Sequence, residues 1–215
     1  MYTLTKLVLN QSRSGDIVHE AIPHTDLVAV AVMEVDGKLR PVREEDLQQM
    51  RLTDEEVLEA AQTTIDQKEF RITTIAEMLG IPEQEAPDKG LYVLTTPRSF
   101  GGAAVLLRPD VLDAVRDQLK DDLVILPSSI HEVLVMKKSE APDIKDLEMM
   151  VREINQREVM SEDRLSDCVY QYDGQLSMAR SKEMAQEETQ EKEEERSKAQ
   201  SHHTEKMQKI GGQHV

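Results

Sequence analysis

One stretch of the chain limits its possible folds more than any other. Residues 27–35 read LVAVAVMEV, and this run is rich in Val and apolar at successive positions. Such a pattern is typical of a strand that is buried on both faces in the middle of a sheet. Asp36-Gly37 follows at once, and this dipeptide between apolar runs is a strong hairpin signal. We therefore predict an antiparallel return strand at 38–42, which Pro41 restricts to a sheet edge.

The rest of the chain alternates between short strand patterns and helical patterns. Thr53 and Glu56 form a capping box ahead of an apolar stripe, and Pro109 stands where a helix would begin. The pattern predicts helices at 43–50, 53–67, 72–79, 109–119 and 143–156. It predicts further strands at 2–9, 91–95, 103–107, 123–126, 133–136, 168–172 and 175–178. Mixed runs with tight turns indicate an α+β fold, with a mainly antiparallel sheet and helices packed on it.

Charge divides the chain into two parts. The whole chain has 42 acidic and 26 basic residues, a net charge of −16. Residues 180–215 contain eight Glu and seven Lys or Arg, so residues 1–179 hold 34 acidic and 19 basic residues, a net of −15. The tail lacks an apolar stripe, so it would be a solvent-exposed helix or disordered. We predict one domain at 1–179 and a charged, solvated tail at 180–215.

Composition excludes several classes of protein. The single Cys168 excludes a disulfide framework, and the strong acidity argues against a general nucleic-acid-binding surface. The start of the chain does not follow the order of a signal peptide. Its apolar runs are far shorter than the roughly 20 residues of a membrane helix. We expect a soluble, cytoplasmic protein with no membrane or nucleic-acid partner, and we predict neither a cofactor nor a metal.

The most concentrated polar block is the sequence LPSSIHE at 126–132. Ser128 and Ser129 are possible nucleophiles, His131 is a possible base, and Asp167 or Asp173 would orient that base if the fold brings them together. Nucleophilic catalysis needs those three roles within hydrogen-bond reach of one another. The alternative is structural, because serine after proline commonly caps a short turn. The sequence favours the turn.

Two further groupings have simpler explanations. Arg98-Ser99-Phe100-Gly101-Gly102 lacks the spacing of a phosphate loop, so we interpret it as a bend between paired strands. His19, Glu20, His24 and Asp26 offer imidazoles and carboxylates, but their spacing matches no common metal motif.

Several separated blocks, taken in order, resemble an uncharacterised bacterial family, domain of unknown function 5688. The most distinctive block is LPSSIHEV at 126–133. The others are Ile22-Pro23-His24, 91–95, Phe100-Gly101, 107–112, 150–155 and 165–173. The resemblance covers about 22–173 and implies a bacterial cytoplasmic protein. It implies no activity, cofactor or catalytic residue.

Three functional hypotheses follow. The first is a non-enzymatic module that binds a protein partner, expected to be basic, through an acidic surface. The second is a hydrolase of unfamiliar type that uses Ser128 or Ser129 with His131. The third is an acidic mimic of nucleic acid, which would need carboxylates spaced like phosphates on one face. Oligomeric state, substrate and partner identity are not encoded in any recognisable pattern.

Overall fold

The computed structural model describes residues 3–36, 38–85 and 90–180 of the chain. The predicted charged tail, apart from Arg180, lies outside these residues, and so does Gly37 of the predicted hairpin. The division into a domain at 1–179 and a tail at 180–215 therefore stays a prediction.

The first sheet is built around the apolar stretch at 27–35. Its strands among the described residues are β1 (Thr3–Asn10), β2 (His19–Ala21), β3 (Leu27–Val35) and β4 (Lys38–Pro41). β1 pairs with one side of β3, while β2 and β4 share the other side, and all three pairings are antiparallel. Residues 27–33 are all buried. The predictions of a central strand and of a return strand at the sheet edge are confirmed.

Two helices follow this sheet, α1 (Glu44–Met50) and α2 (Asp54–Asp66). α2 begins with the predicted capping box: Glu56 N–H donates to Thr53 Oγ1 at 3.3 Å, and Thr53 N–H donates to the Glu56 carboxylate at 2.8 Å. The hydrogen bonds from Thr53 lower the pKa of Glu56. The buried side of α2 packs on one face of the first sheet through Val57 and Ala61, which belong to one hydrophobic cluster with Leu4, Ala31 and Met33.

The second sheet is formed by strands from the later part of the chain. Across the described residues it has the order β10-β9-β7-β8-β6-β5, and every neighbouring pair is antiparallel. The strands are β5 (Arg71–Thr74), β6 (Tyr92–Thr95), β7 (Leu123–Ser129), β8 (Glu132–Lys137), β9 (Tyr170–Tyr172) and β10 (Leu176–Met178). The predicted α+β class with mainly antiparallel pairing is confirmed, although the strands form two sheets where one was expected.

Three helices belong to this later part: α3 (Ile75–Leu79), α4 (Pro109–Leu119) and α5 (Ile144–Arg157). Short 3-10 helices lie at Gln11–Arg13, Glu83–Glu85, Gly102–Leu107 and Lys138–Glu140. The apolar stripe of α5 packs on the second sheet through Leu147 and Val151, which contact Val124, Leu126 and Val169. The predicted helices at 109–119 and 143–156 are confirmed.

Two predicted elements were wrong. The strand expected at 103–107 is a 3-10 helix, Gly102–Leu107, because the N–H groups of Gly102 and Ala103 donate to main-chain carbonyls of the 130–131 turn. The single helix expected at 72–79 divides into β5 and α3. The division falls at Thr74, whose hydroxyl accepts the N–H of Glu77 and so caps α3.

One large hydrophobic cluster joins the two sheets. β1 and β3 contribute Val8, Leu9, Val28 and Val30, while the second sheet contributes Leu94, Ile125, Val133 and Tyr170. Val105 of the 3-10 helix and Leu112 of α4 complete this part of the cluster. In the ranges described, every helix is too short or too polar to cross a membrane.

Candidate functional site

The predicted polar block forms the turn between β7 and β8. The pairing of these strands shifts between Leu126 and Ser129, which marks a bulge that accommodates Pro127 within the strand. Ser129 Oγ accepts the main-chain N–H of His131 at 3.1 Å. Ser128 Oγ donates to the Glu132 carboxylate at 3.2 Å. Both hydroxyls therefore form hydrogen bonds within the turn, which is the structural role that we gave as the alternative to catalysis.

The His131 side chain leaves this turn and is held by its surroundings. Its Nδ1 accepts the N–H of Gly101 at 3.2 Å, and its Nε2 lies 3.4 Å from Asp163 Oδ1. Accepting a bond at Nδ1 requires the ring proton to reside on Nε2, the nitrogen that faces Asp163. The Phe100 ring lies against the imidazole, with 4.9 Å between the ring centroids.

This arrangement bears on the hydrolase hypothesis. A general base needs an available nitrogen lone pair within reach of the hydroxyl that it deprotonates. In His131 that lone pair is directed at the Gly101 amide, and the other nitrogen faces a carboxylate. The geometry favours a structural role for Ser128, Ser129 and His131, and their catalytic use stays a prediction without geometric support.

Asp167 does not orient His131. Its Oδ1 accepts a hydrogen bond from the side-chain amide of Asn155 at 2.8 Å, and its Oδ2 lies 3.9 Å from Arg152 Nε. Both partners are residues of α5, so Asp167 contacts that helix and not His131. The carboxylate beside the imidazole is Asp163, which sequence reasoning missed. Asp163 lies in a loop without periodicity. Its position follows from the long-range bond between its main-chain oxygen and the N–H of Ile130.

A second polar junction surrounds Asp26. Its carboxylate accepts hydrogen bonds from Asn10 Nδ2 at 2.8 Å, from Ser166 Oγ at 2.8 Å and from the Tyr170 hydroxyl. Burial, followed by the hydrogen bond to Asp26, raises the pKa of the Tyr170 hydroxyl. Burial and the Asp26 charge also raise the pKa of the Cys168 thiol, which keeps it protonated and weakly nucleophilic. This junction ties the start of β3 to β9.

The residues considered as a metal site, His19, Glu20, His24 and Asp26, do not form one. Glu20 forms an ion pair with Lys6, while His19 Nδ1 lies 2.7 Å from the main-chain oxygen of Ile17 and Asp26 is engaged as described. Among residues 3–36, 38–85 and 90–180, no three or more His, Cys, Asp or Glu side chains are arranged to hold a metal ion.

An acidic groove of about 620 Å³ runs between β1, β2 and α2. It is lined by Glu20, Asp54, Glu55 and Glu59, together with Lys6, Leu58 and Gln62. Lys6 is only 3% exposed, and its ammonium is bound by Glu20 and by Gln62 Oε1. In the described ranges, the carboxylates of Asp54, Glu55 and Glu59 make no ion pair, so the groove presents uncompensated negative charge to solvent.

Comparison with known protein families gives a match over most of the chain. The model of a family of unknown function, DUF5688, matches residues 1–174. The chain belongs to this family. The resemblance stated from separated blocks is thereby confirmed, and the match extends it to the start of the chain. Searches of curated proteins and of solved structures returned no match.

The polar contacts of His131 and those of Asp26 each join sequence blocks on which the family resemblance was based. Phe100-Gly101 contacts His131 of the LPSSIHEV block, and the loop after Ile22-Pro23-His24 contacts Ser166 and Tyr170. These contacts connect distant parts of the chain, which is sufficient to explain their polar side chains. In the acidic groove, Lys6, Glu20 and Gln62 have such an internal role, whereas the carboxylates of Asp54, Glu55 and Glu59 have no ion pair among the described residues.

Proposed function

We propose that this member of the DUF5688 family is a non-enzymatic binding module whose acidic groove accepts a basic segment of a protein partner. The observation that carries the proposal is the charge of the groove: four carboxylates line it with one ammonium, and that ammonium is already bound by Glu20. Opposite charges across an interface increase the rate and specificity of association.

The chemistry of the groove indicates the kind of segment that would bind. Asp54, Glu55 and Glu59 are exposed side chains on the first turns of α2, and Leu58 between them is partly buried. A segment with Lys or Arg side chains and an intervening apolar residue would complement this surface. The net charge of −15 over residues 1–179 would attract such a segment from a distance.

A labelled peptide rich in Lys and Arg, with interspersed Leu, tests the proposal by fluorescence anisotropy. We expect saturable binding that weakens as salt rises from about 0.1 M to about 1 M, since the Debye length falls from about 10 Å to about 3 Å. The double variant Glu55→Gln/Glu59→Gln should bind about fivefold more weakly, because exposed charge pairs contribute up to about 1 kcal/mol.

The matched control is Glu44→Gln/Glu45→Gln. These two residues lie in the first turn of α1 and outside the groove, so they share the helix-terminal position of Glu55. The control should bind within twofold of the unmodified chain. Equal weakening by both double variants would show attraction to overall charge and would contradict a groove-specific site.

A further inference from the structure

A separate cavity of about 440 Å³ opens on the other face of β1. Its wall includes the side chains Thr5, Leu7, Leu39, Thr64, Lys68 and Phe100. Alternation along β1 directs odd-numbered residues into this cavity, whereas Leu4 packs toward α2. The volume lies within the range of small-molecule sites, about 300–1,000 Å³.

Four charged side chains line the cavity; Glu34, Glu69 and Arg98 are exposed, whereas Lys68 is partly buried. Lys68 follows α2, and its main chain is held by the Arg108 guanidinium, which donates to the Lys68 carbonyl oxygen at 3.3 Å. The ammonium lies next to Gly101, where an added Cβ would be 3.7 Å from Nζ. Across the described ranges it has no hydrogen bond or ion pair. Partial burial lowers the pKa of Lys68, because desolvation disfavours the charged ammonium.

We propose that this cavity binds an amphipathic monocarboxylate. The carboxylate would pair with the Lys68 ammonium, and the apolar part of the ligand would lie against Leu7, Leu39 and Phe100. A singly charged head group fits better than a phosphate dianion. Arg98 lines the same cavity as a second cation, but Glu34 and Glu69 also line it and would repel a second negative charge.

This site is independent of the acidic groove. Their lining residues do not overlap, and an ammonium without a partner among the described residues lines the cavity, whereas the ammonium in the groove is bound by Glu20. Loss of peptide binding at the groove would therefore leave this proposal intact.

Calorimetric titration of the full chain with octanoate and decanoate tests the proposal, with octan-1-ol and octylamine as probes of equal length but different head group. We expect one saturable site for the carboxylates and weaker binding of the alcohol and the amine. Carboxylate affinity should fall as pH rises through the lowered pKa of Lys68, because the ammonium then loses its proton.

Lys68→Met removes the charge and keeps an unbranched side chain that is one heavy atom shorter. It should weaken decanoate binding about tenfold or more, the factor for losing a hydrogen bond to a charged group, and leave octanol binding within twofold. The control Lys120→Met changes an exposed lysine outside the cavity and should bind like the unmodified chain. Circular dichroism confirms that each variant is folded.

Three outcomes would overturn the proposal. They are the absence of saturable carboxylate binding, equal affinity for octanoate and octanol, and unchanged decanoate affinity in the folded Lys68→Met variant.

Discussion

His131 and Lys68 are ionisable side chains that both adjoin Gly101, yet their surroundings are opposite. The imidazole receives the Gly101 N–H, faces Asp163 and contacts the Phe100 ring. The Lys68 ammonium lies 3.7 Å from where a Cβ on the same glycine would be, and it lines a cavity without a partner among the described residues. Both nitrogens of the His131 imidazole therefore have partners within the fold, whereas the Lys68 ammonium remains available to bind a ligand.

This difference teaches how a polar residue should be weighed as a candidate site. The LPSSIHE block attracted attention because its polar residues are dense in sequence, but the fold uses those groups to close a turn. Lys68 stands alone in an unremarkable segment after α2. Unsatisfied bonding capacity beside a cavity is the more informative signal, because burying an unpaired polar group costs free energy.

The largest effect should come from Gly102, which packs beneath the His131 turn. A Cβ added there would lie 2.2 Å from the His131 carbonyl oxygen and 2.4 Å from Thr95 Oγ1. We expect Gly102→Ala to lower the free energy of unfolding by about 3 kcal/mol, since overpacking displaces backbone. Urea denaturation measures the change. Gly15→Ala is the control, because nothing lies within 4 Å and its left-handed backbone costs only about 1–2 kcal/mol. Similar decreases in the free energy of unfolding for Gly102→Ala and Gly15→Ala would contradict the close packing of Gly102 against the His131 turn.

His131→Leu should have the next largest effect. The variant leaves the buried Gly101 N–H without its acceptor and Asp163 without its partner, so we expect a loss of about 2 kcal/mol in urea denaturation. His19→Leu alters an exposed histidine and should change stability by less than about 0.5 kcal/mol. An unchanged midpoint for His131→Leu would show that the imidazole is not structurally engaged, and would return it to consideration as a catalytic base.

Lys68→Met should act in the opposite direction. Removing a partly buried charge without a partner should raise the free energy of unfolding by about 0.5–1 kcal/mol, since the variant no longer desolvates an ammonium. The same denaturation experiment measures it, with Lys120→Met expected to be neutral. A clear loss of stability in Lys68→Met would mean that the ammonium already has a stabilising partner, and the contrast with His131 would fail.

The smallest effect is expected at Ser128. Ser128→Ala removes one partly exposed hydrogen bond to Glu132 and should cost about 0.5 kcal/mol. Incubation with a fluorophosphonate probe, followed by intact-mass measurement, should leave the unmodified chain unlabelled. A single adduct that disappears in Ser128→Ala or Ser129→Ala would instead support the hydrolase hypothesis and reverse the interpretation of this turn.

Elements with strong local signals were predictable from the sequence. The apolar run at 27–35 became the central strand, the Thr53–Glu56 capping box began α2, and Pro109 began α4. Each of these signals acts between residues close in the chain. The hairpin of β9 and β10 around Asp173-Gly174 has the same origin.

The failures fall where long-range contacts decide the conformation. Ala103, Ala104 and Val105 match a strand or a helix equally well. Main-chain bonds to the 130–131 turn select the 3-10 helix. The pairing of His131 with Asp163 instead of Asp167 also depends on a contact between distant segments. Neither the acidic groove nor the Lys68 cavity has a local motif, because each is assembled from β1, α2 and other separated elements.

The sequence by itself determined the α+β class, the position of the central strand, most of the helices and the family, because these depend on local periodicity, turn chemistry and ordered blocks of residues. Only the tertiary structure decided which polar groups are satisfied. Whether a side chain finds a bonding partner depends on residues that lie far away along the chain. For that reason the sequence could indicate Ser128, Ser129 and His131 as candidate site residues. Only the fold shows that these residues have hydrogen-bond partners and that the Lys68 ammonium has none among the described residues.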